Sequence, residues 1–281
     1  MLQPRQIIFT AVEGILDQQG FAARNSISEA LQALSRAGVP LVLCSRGTRA
    51  QLDPLRRKLE HAHPFVTERG GGLFIPDGYF NLRLAGGTRC GRNFCVPFAK
   101  PHLEAAAAVQ EIAAEARASV VPFSQMSARE IARNSGLSTR DAEFYRQREF
   151  SEIFFFTGET AKATRRFSDI ARQKGWETIP GEPFWELRGP LAPKGQTAVS
   201  YLMDLYRKDL HGRQRSVGLG SHADDAYFLL ATDTAVVLPQ QAAGFDGTLL
   251  ARVPRAAQAD TSGPEGWSQE IVKILDKSYL R

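Results

Sequence analysis

The hydrophobic pattern over the first 75 residues switches repeatedly between two periods. Residues 6–10 form a short, mostly apolar run that reads as a buried strand. Residues 26–36 instead set Ile27, Ala30, Leu31 and Leu34 at helical spacing. There Ser26 and Glu29 predict a capping box and Gly38 a stop. Residues 39–44 predict a second apolar strand of the type buried in a parallel sheet, with Pro40 tolerated near its start. A turn at 45–48 and a helix at 49–60 follow. Short strands at 65–66 and 73–75 then flank Arg69-Gly70-Gly71-Gly72. Such alternation predicts a doubly wound α/β sheet with its binding site at the carboxyl ends of the strands.

The middle of the chain changes character. Residues 102–118 read as an Ala-rich helix, and 127–134 and 138–148 as two short helices, the second capped by Ser138. Strands are expected at 153–156 and 184–187 around a helix at 161–174, with Phe154, Phe155 and Phe156 in the core of this segment. The α/β pattern resumes with a helix at 194–206, a strand at 216–219, a helix at 223–231 and a strand at 234–238. Residues 239–262 read as loop-rich and 267–280 as an amphipathic helix. The expected organisation is an α/β core built from residues 1–85 and 189–281, interrupted by an α/β cap at 86–188.

Composition narrows the classes. With 281 residues and 43% hydrophobic positions, the chain can bury a substantial core. No apolar run is long enough for a membrane span, and no leader-like segment opens the sequence. Cys44, Cys90 and Cys95 have neither disulfide-framework nor metal-ligand spacing, which suits free thiols in a cytoplasmic protein. A net charge of +5 favours anionic ligands mildly, but no basic block interleaved with aromatics suggests nucleic acid.

Four places carry a resemblance. They are Phe9-Thr10-Ala11-Val12-Glu13-Gly14, Leu43-Cys44-Ser45, Lys194, and Gly218-Leu219-Gly220-Ser221-His222-Ala223-Asp224-Asp225. In this order they resemble the four motifs of the haloacid-dehalogenase-like superfamily. Further pieces narrow the likeness: Cys44-Ser45 with Thr48, Glu68 with Gly70-Gly71, Met126-Ser127-Ala128-Arg129-Glu130, and Asn134-Ser135-Gly136-Leu137-Ser138. Gln147-Arg148-Glu149-Phe150-Ser151-Glu152 and Gly263-Pro264-Glu265-Gly266-Trp267 complete them. The chain as a whole is similar to the mannosyl-3-phosphoglycerate phosphatase group. That resemblance implies a Rossmann-like core with a parallel sheet and an inserted α/β cap of the C2B-like type.

The family's reaction needs groups that are only partly present here. It implies an Asp nucleophile, a second carboxylate as acid and base, a lysine, and Mg²⁺ held by carboxylates and a backbone carbonyl. The nucleophile position is Ala11, the acid/base position Glu13, and the Thr of that motif is Ile15. Ser221 stands where the family has a metal-binding Asp, while Asp224 and Asp225 remain. Other departures are Gly47, Arg69, Ser151 and Glu186, where the family often has Lys, Asn, Asp and His. Asp17 lies six residues past Ala11, too far along the chain to replace it by simple rotation.

The resemblance therefore implies a phosphate cradle at Ser45, Arg46 and Lys194, and cap or substrate contacts at Arg69, Ser127, Arg148 and Glu149. No cofactor is expected, and Mg²⁺ would bind weakly if at all. The leading expectation is a non-hydrolysing protein that takes a small anion (a phosphosugar or phosphoglycerate) or a protein partner. An active Mg²⁺-dependent phosphatase of a phosphorylated glycoside, and a purely structural protein with a self-filled pocket, are the alternatives.

Overall fold

The structure is a computed structural model that describes residues 6–18, 20–158, 161–181, 183–191, 197–212 and 214–276. It divides into two compact units: Met1–Arg46, Leu55–Val96 and Pro193–Arg281 form the first, Gly47–Pro54 and Pro97–Ala192 the second.

The first unit is built on a nine-stranded sheet. Its strands are β1 (Gln6–Ala11), β2 (Leu41–Cys44), β3 (Phe65–Thr67), β4 (Gly72–Pro76), β5 (Thr88–Cys90) and β6 (Asn93–Pro97). To these the later chain adds β11 (Arg215–Gly220), β12 (Thr234–Val237) and β13 (Ala257–Gln258), in the spatial order β13-β12-β11-β1-β2-β3-β4-β6-β5. The six strands from β13 to β3 are parallel, and β3–β4 and β5–β6 pair antiparallel. Every residue of β1 and β2 is buried, which is why both read as apolar runs without alternation. The unit extends past the expected boundary at residue 85 because β5 and β6 continue its sheet beyond β4.

Four helices of this unit depart from their sequence readings. Helix α1 (Phe21–Ala37) starts at Gly20, which caps it without a side-chain hydrogen bond, so Ser26 and Glu29 lie inside the helix rather than forming a capping box. Gly38 ends it in the left-handed conformation, as expected. Helix α10 (Gly263–Leu275) packs on α1 and starts ahead of Trp267, with Pro264 in its first turn. The loop-rich stretch 239–262 also holds a short helix, α9 (Gly247–Arg252), capped by the Asp246 carboxylate, and β13. Helix α7 (Ala198–Leu210) opens on a Thr197–Ser200 capping box; Lys194 and the other residues expected to start it lie outside the described residues.

The second unit has a four-stranded antiparallel sheet, β7 (Val120–Pro122), β8 (Ser151–Phe156), β10 (Trp185–Arg188) and β9 (Glu177–Ile179), in that spatial order. Alternation along β8 serves two cores. Phe154 and Phe156 pack with Phe167, Leu187 and the Ala-rich face of α3 (His102–Ala116) and α6 (Ala161–Gln173). Ile153 and Phe155 point the other way, to Phe123 and Phe184 and to α4 (Ala128–Ser135) and α5 (Thr139–Tyr145). The three phenylalanines are core residues, as the sequence suggested. The whole is the expected α/β architecture: a large, mainly parallel sheet with helices, and a second α/β unit.

Candidate functional site

The first unit gathers most of the expected positions at the carboxyl ends of three neighbouring strands. Parallel pairing sets Ala11 beside Cys44, and Val12 N–H donates to the Cys44 carbonyl at 3.0 Å. Ser45 follows directly and is held by its own N–H on the Val66 carbonyl, 2.9 Å away. On the other side β11 ends at Gly220, where an added Cβ would lie 2.8 Å from the Asp225 Cβ. That close approach lets the turn carrying Ser221, Asp224 and Asp225 fold tightly against the strand.

Ala11 is fully buried and ends β1 in a methyl group. Glu13 reaches past it. The Ser45 hydroxyl donates to Glu13 Oε1 at 2.5 Å, and Arg46 N–H donates to both carboxylate oxygens at 3.0 and 3.2 Å. The Arg46 guanidinium stands 3.8 Å from the same carboxylate. The hydroxyl and amide expected to meet an anionic ligand therefore hold a carboxylate of the chain itself.

Arg69 arrives from an unusual turn. Glu68 and Arg69 both have left-handed backbone, φ 47° and 52°, a conformation that costs most residues energy and that neither relieves by being glycine. Arg69 N–H on the Ser45 carbonyl (3.2 Å) and Gly71 N–H on the Glu68 carbonyl (3.0 Å) hold the turn. Its guanidinium Nε then donates to Asp224 Oδ2 at 3.1 Å. Arg46 lies 3.7 Å from that oxygen and His222 Nδ1 3.5 Å from it. Burial alone would push the Asp224 carboxyl up, but Arg69, with His222 and Arg46, holds it below the ordinary carboxylate range.

The adjacent acid behaves oppositely. Asp225 Oδ2 accepts the Ser221 and His222 N–H groups at 2.8 and 2.9 Å inside the protein. Burial pushes its carboxyl up to about 7, against the pull of those amides. Asp17 folds back onto Gly14 N–H at 2.8 Å, and burial raises its carboxyl as well. The Cys44 thiol is driven up by complete burial and lies against Tyr227, so it packs rather than reacts.

These donors do not fit a bound Mg²⁺. The two positions from which the family resemblance draws metal carboxylates carry a methyl and a hydroxyl, at Ala11 and Ser221. The surviving acids are spent on backbone amides and guanidinium groups. Among the described residues, no group of three or more His, Cys, Asp or Glu side chains could hold a metal ion.

Lys194 lies outside the described residues, and the remaining expected residues lie in the second unit. The Ser127 side chain caps α4 and closes a capping box with Glu130, the two side chains 2.7 Å apart. Glu149 takes the Arg49 guanidinium through two contacts of 3.2 and 3.3 Å. Arg148 is buried, 3.9 Å from Glu186 and stacked over the Tyr145 ring. One neighbouring group was not singled out from the sequence. Glu152, almost fully buried on β8, accepts Ser124 N–H at 3.1 Å and lies 3.5 Å from His102. Burial raises its carboxyl. Its signal was an acid directly before the apolar run of residues 153–156.

Comparisons with known proteins agree with the resemblance. No protein-family model matches the chain. It is 26% identical over 274 residues to a glucosyl-3-phosphoglycerate/mannosyl-3-phosphoglycerate phosphatase of Methanococcoides burtonii, covering 98% of both chains. A protein of the same name from Persephonella marina is 26% identical over 275 residues, covering 96% of this chain and 97% of that one. Among solved structures, a haloacid dehalogenase-like hydrolase from Bacteroides thetaiotaomicron superposes with a TM-score of 0.61 at 15% identity. That match covers 96% of this chain and 99% of the other.

Proposed function

We propose that this chain, which has the haloacid-dehalogenase-like fold and the sequence likeness of the mannosyl-3-phosphoglycerate phosphatase group, binds a small phosphorylated anion without hydrolysing it. The ligand class is a phosphosugar or phosphoglycerate, by analogy with the names its relatives carry. The carrying observation is the methyl group of Ala11 at the end of β1, where the reaction requires an attacking carboxylate oxygen. Removing a covalent nucleophile lowers turnover by a factor on the order of 10⁶.

The neighbouring acids support this reading because each is committed elsewhere. Glu13 is on Ser45 and Arg46, Asp224 on Arg69, Asp225 on two amides and Asp17 on Gly14. The cationic side supports binding: Ser45 and Arg46 offer a hydroxyl and an amide at a strand end, and Arg46 and Arg69 supply fixed positive charge where a metal would otherwise be needed. Lys194 belongs to the same proposed cradle on the strength of its place in the motif order.

The test follows mannosyl-3-phosphoglycerate by phosphorus NMR in the presence of the protein, once with Mg²⁺ and once with EDTA. The expected result is a shifted or broadened phosphomonoester line in both, with no inorganic phosphate appearing. Release of phosphate only with Mg²⁺ would favour the alternative, an active phosphatase; an unperturbed line in both, with wild type and with Glu13→Ala alike, would remove the binding role.

A further inference from the structure

The geometry points to Glu13 as an internal ligand of the anion cradle, a carboxylate that keeps phosphate monoesters out until it is displaced. The inference rests on the proposed anion-binding role of this site and specifies how that role is held in check. Three observations carry it. The first is chemical: the Ser45 hydroxyl and the Arg46 N–H point at Glu13 with distances of 2.5, 3.0 and 3.2 Å, a hydroxyl and an amide converging on one anion. A phosphate monoester would need the same two donors. The second is steric: no carboxylate stands at Ala11, and the Glu13 side chain, two residues on, reaches across to the end of β2. The third is electrostatic. Arg46 lies 3.8 Å from Glu13 and 3.7 Å from Asp224, so its charge is already balanced by carboxylates of the chain.

Binding then becomes a competition between a tethered carboxylate and a free anion. The apparent Kd of a ligand rises by the inverse of the fraction of molecules in which the cradle is open. Charge-assisted hydrogen bonds of this kind suffice to hold the open fraction to a few per cent, so removing the carboxylate should tighten phosphate binding by about tenfold or more. The side chain acts here as a gate, set by composition alone, and needs no movement of either unit.

The experiment titrates inorganic phosphate and 3-phosphoglycerate in EDTA into wild type, Glu13→Ala, Glu13→Gln and the double variant Glu13→Ala/Ser45→Ala, each checked for folding by its melting curve. The expected order of affinity is Glu13→Ala tightest, Glu13→Gln between it and wild type, and the double variant weakened again relative to Glu13→Ala because the hydroxyl is gone. Wild type that binds as tightly as, or more tightly than, a folded Glu13→Ala would overturn the gate while leaving the binding role standing. Absence of binding to every variant at about 10 mM ligand, corresponding to less than about 3 kcal/mol of affinity, would overturn both.

Discussion

Acid should destabilise the protein through one histidine, His61, and the size of the effect follows from its surroundings. His61 Nε2 lies 2.7 Å from the Leu41 carbonyl, so it is the protonated nitrogen, and Nδ1 is left to accept from Arg56 Nε at 3.4 Å. Adding a proton to Nδ1 would end that contact and put a charge beside a guanidinium in a buried place. Burial first, then Arg56 and His63, bring the His61 pKa down to about 3 from 6.5.

The unfolded chain therefore takes up a proton near pH 6.5 that the folded chain refuses until about 3. Stability from neutral His61 is fully present above 6.5 and falls with pH by about 1.4 kcal/mol per unit. At pH 4.5 the loss is on the order of 3 kcal/mol, against a typical total of about 5–15 kcal/mol. The assay is urea unfolding at several pH values between 7.5 and 4.5 for wild type and His61→Gln, whose amide can still donate to Leu41. Titrating groups distant from His61 cancel in the difference between the two curves; His63, whose ring centroid lies 5.7 Å away, does not, so both proteins carry His63→Gln. That difference should close at about 1.4 kcal/mol per pH unit below 6.5; parallel curves would refute the argument.

Three further outcomes are expected. An added Cβ at Gly266 would lie 1.8 Å from the Thr261 carbonyl oxygen, so Gly266→Ala should lower unfolding free energy by about 1–3 kcal/mol or more. Unchanged urea unfolding would contradict the close approach at the start of α10. Ser127→Ala should cost about 1 kcal/mol through the lost cap of α4 and leave phosphate affinity untouched. A tenfold loss of affinity, equal to about 1.4 kcal/mol, would instead assign Ser127 to the ligand. Ala11→Asp combined with Ser221→Asp should melt below wild type in EDTA, because it adds carboxylates at buried positions near Asp225, and should recover with Mg²⁺. A Mg²⁺-dependent rise in the wild-type melting temperature would contradict the loss of the metal site.

Sequence patterning carried the sheet further than the helix ends. β1, β2, β11 and β12 are legible because each carries buried apolar residues between neighbouring strands; the α/β alternation implies a parallel sheet but not the order of its strands. The start of α1 was not, because Ser26-x-x-Glu29 imitates a capping box while the helix begins at Gly20. The hairpin of β5 and β6 was missed because its exposed and half-buried residues carry little apolar alternation. α9 is too short for a helical period to register.

Motif order located Ala11, Ser45, Ser221 and Asp225 at strand ends, but it could not say which partners their neighbours choose. Glu13 lies across Ser45 and Arg46. Arg69 meets Asp224 only because two left-handed residues turn it there. Asp224 and Asp225 are adjacent in sequence, yet one faces guanidinium groups and the other is sealed on backbone amides, a divergence set by which way each points from a single tight turn.

Release of inorganic phosphate from mannosyl-3-phosphoglycerate by the purified wild-type chain, with Mg²⁺ at saturating substrate, tests the central claim most directly. The account predicts a rate indistinguishable from the protein-free control, with or without EDTA. Sustained Mg²⁺-dependent release that EDTA abolishes would contradict it, and would mean that a group other than residue 11 attacks phosphorus.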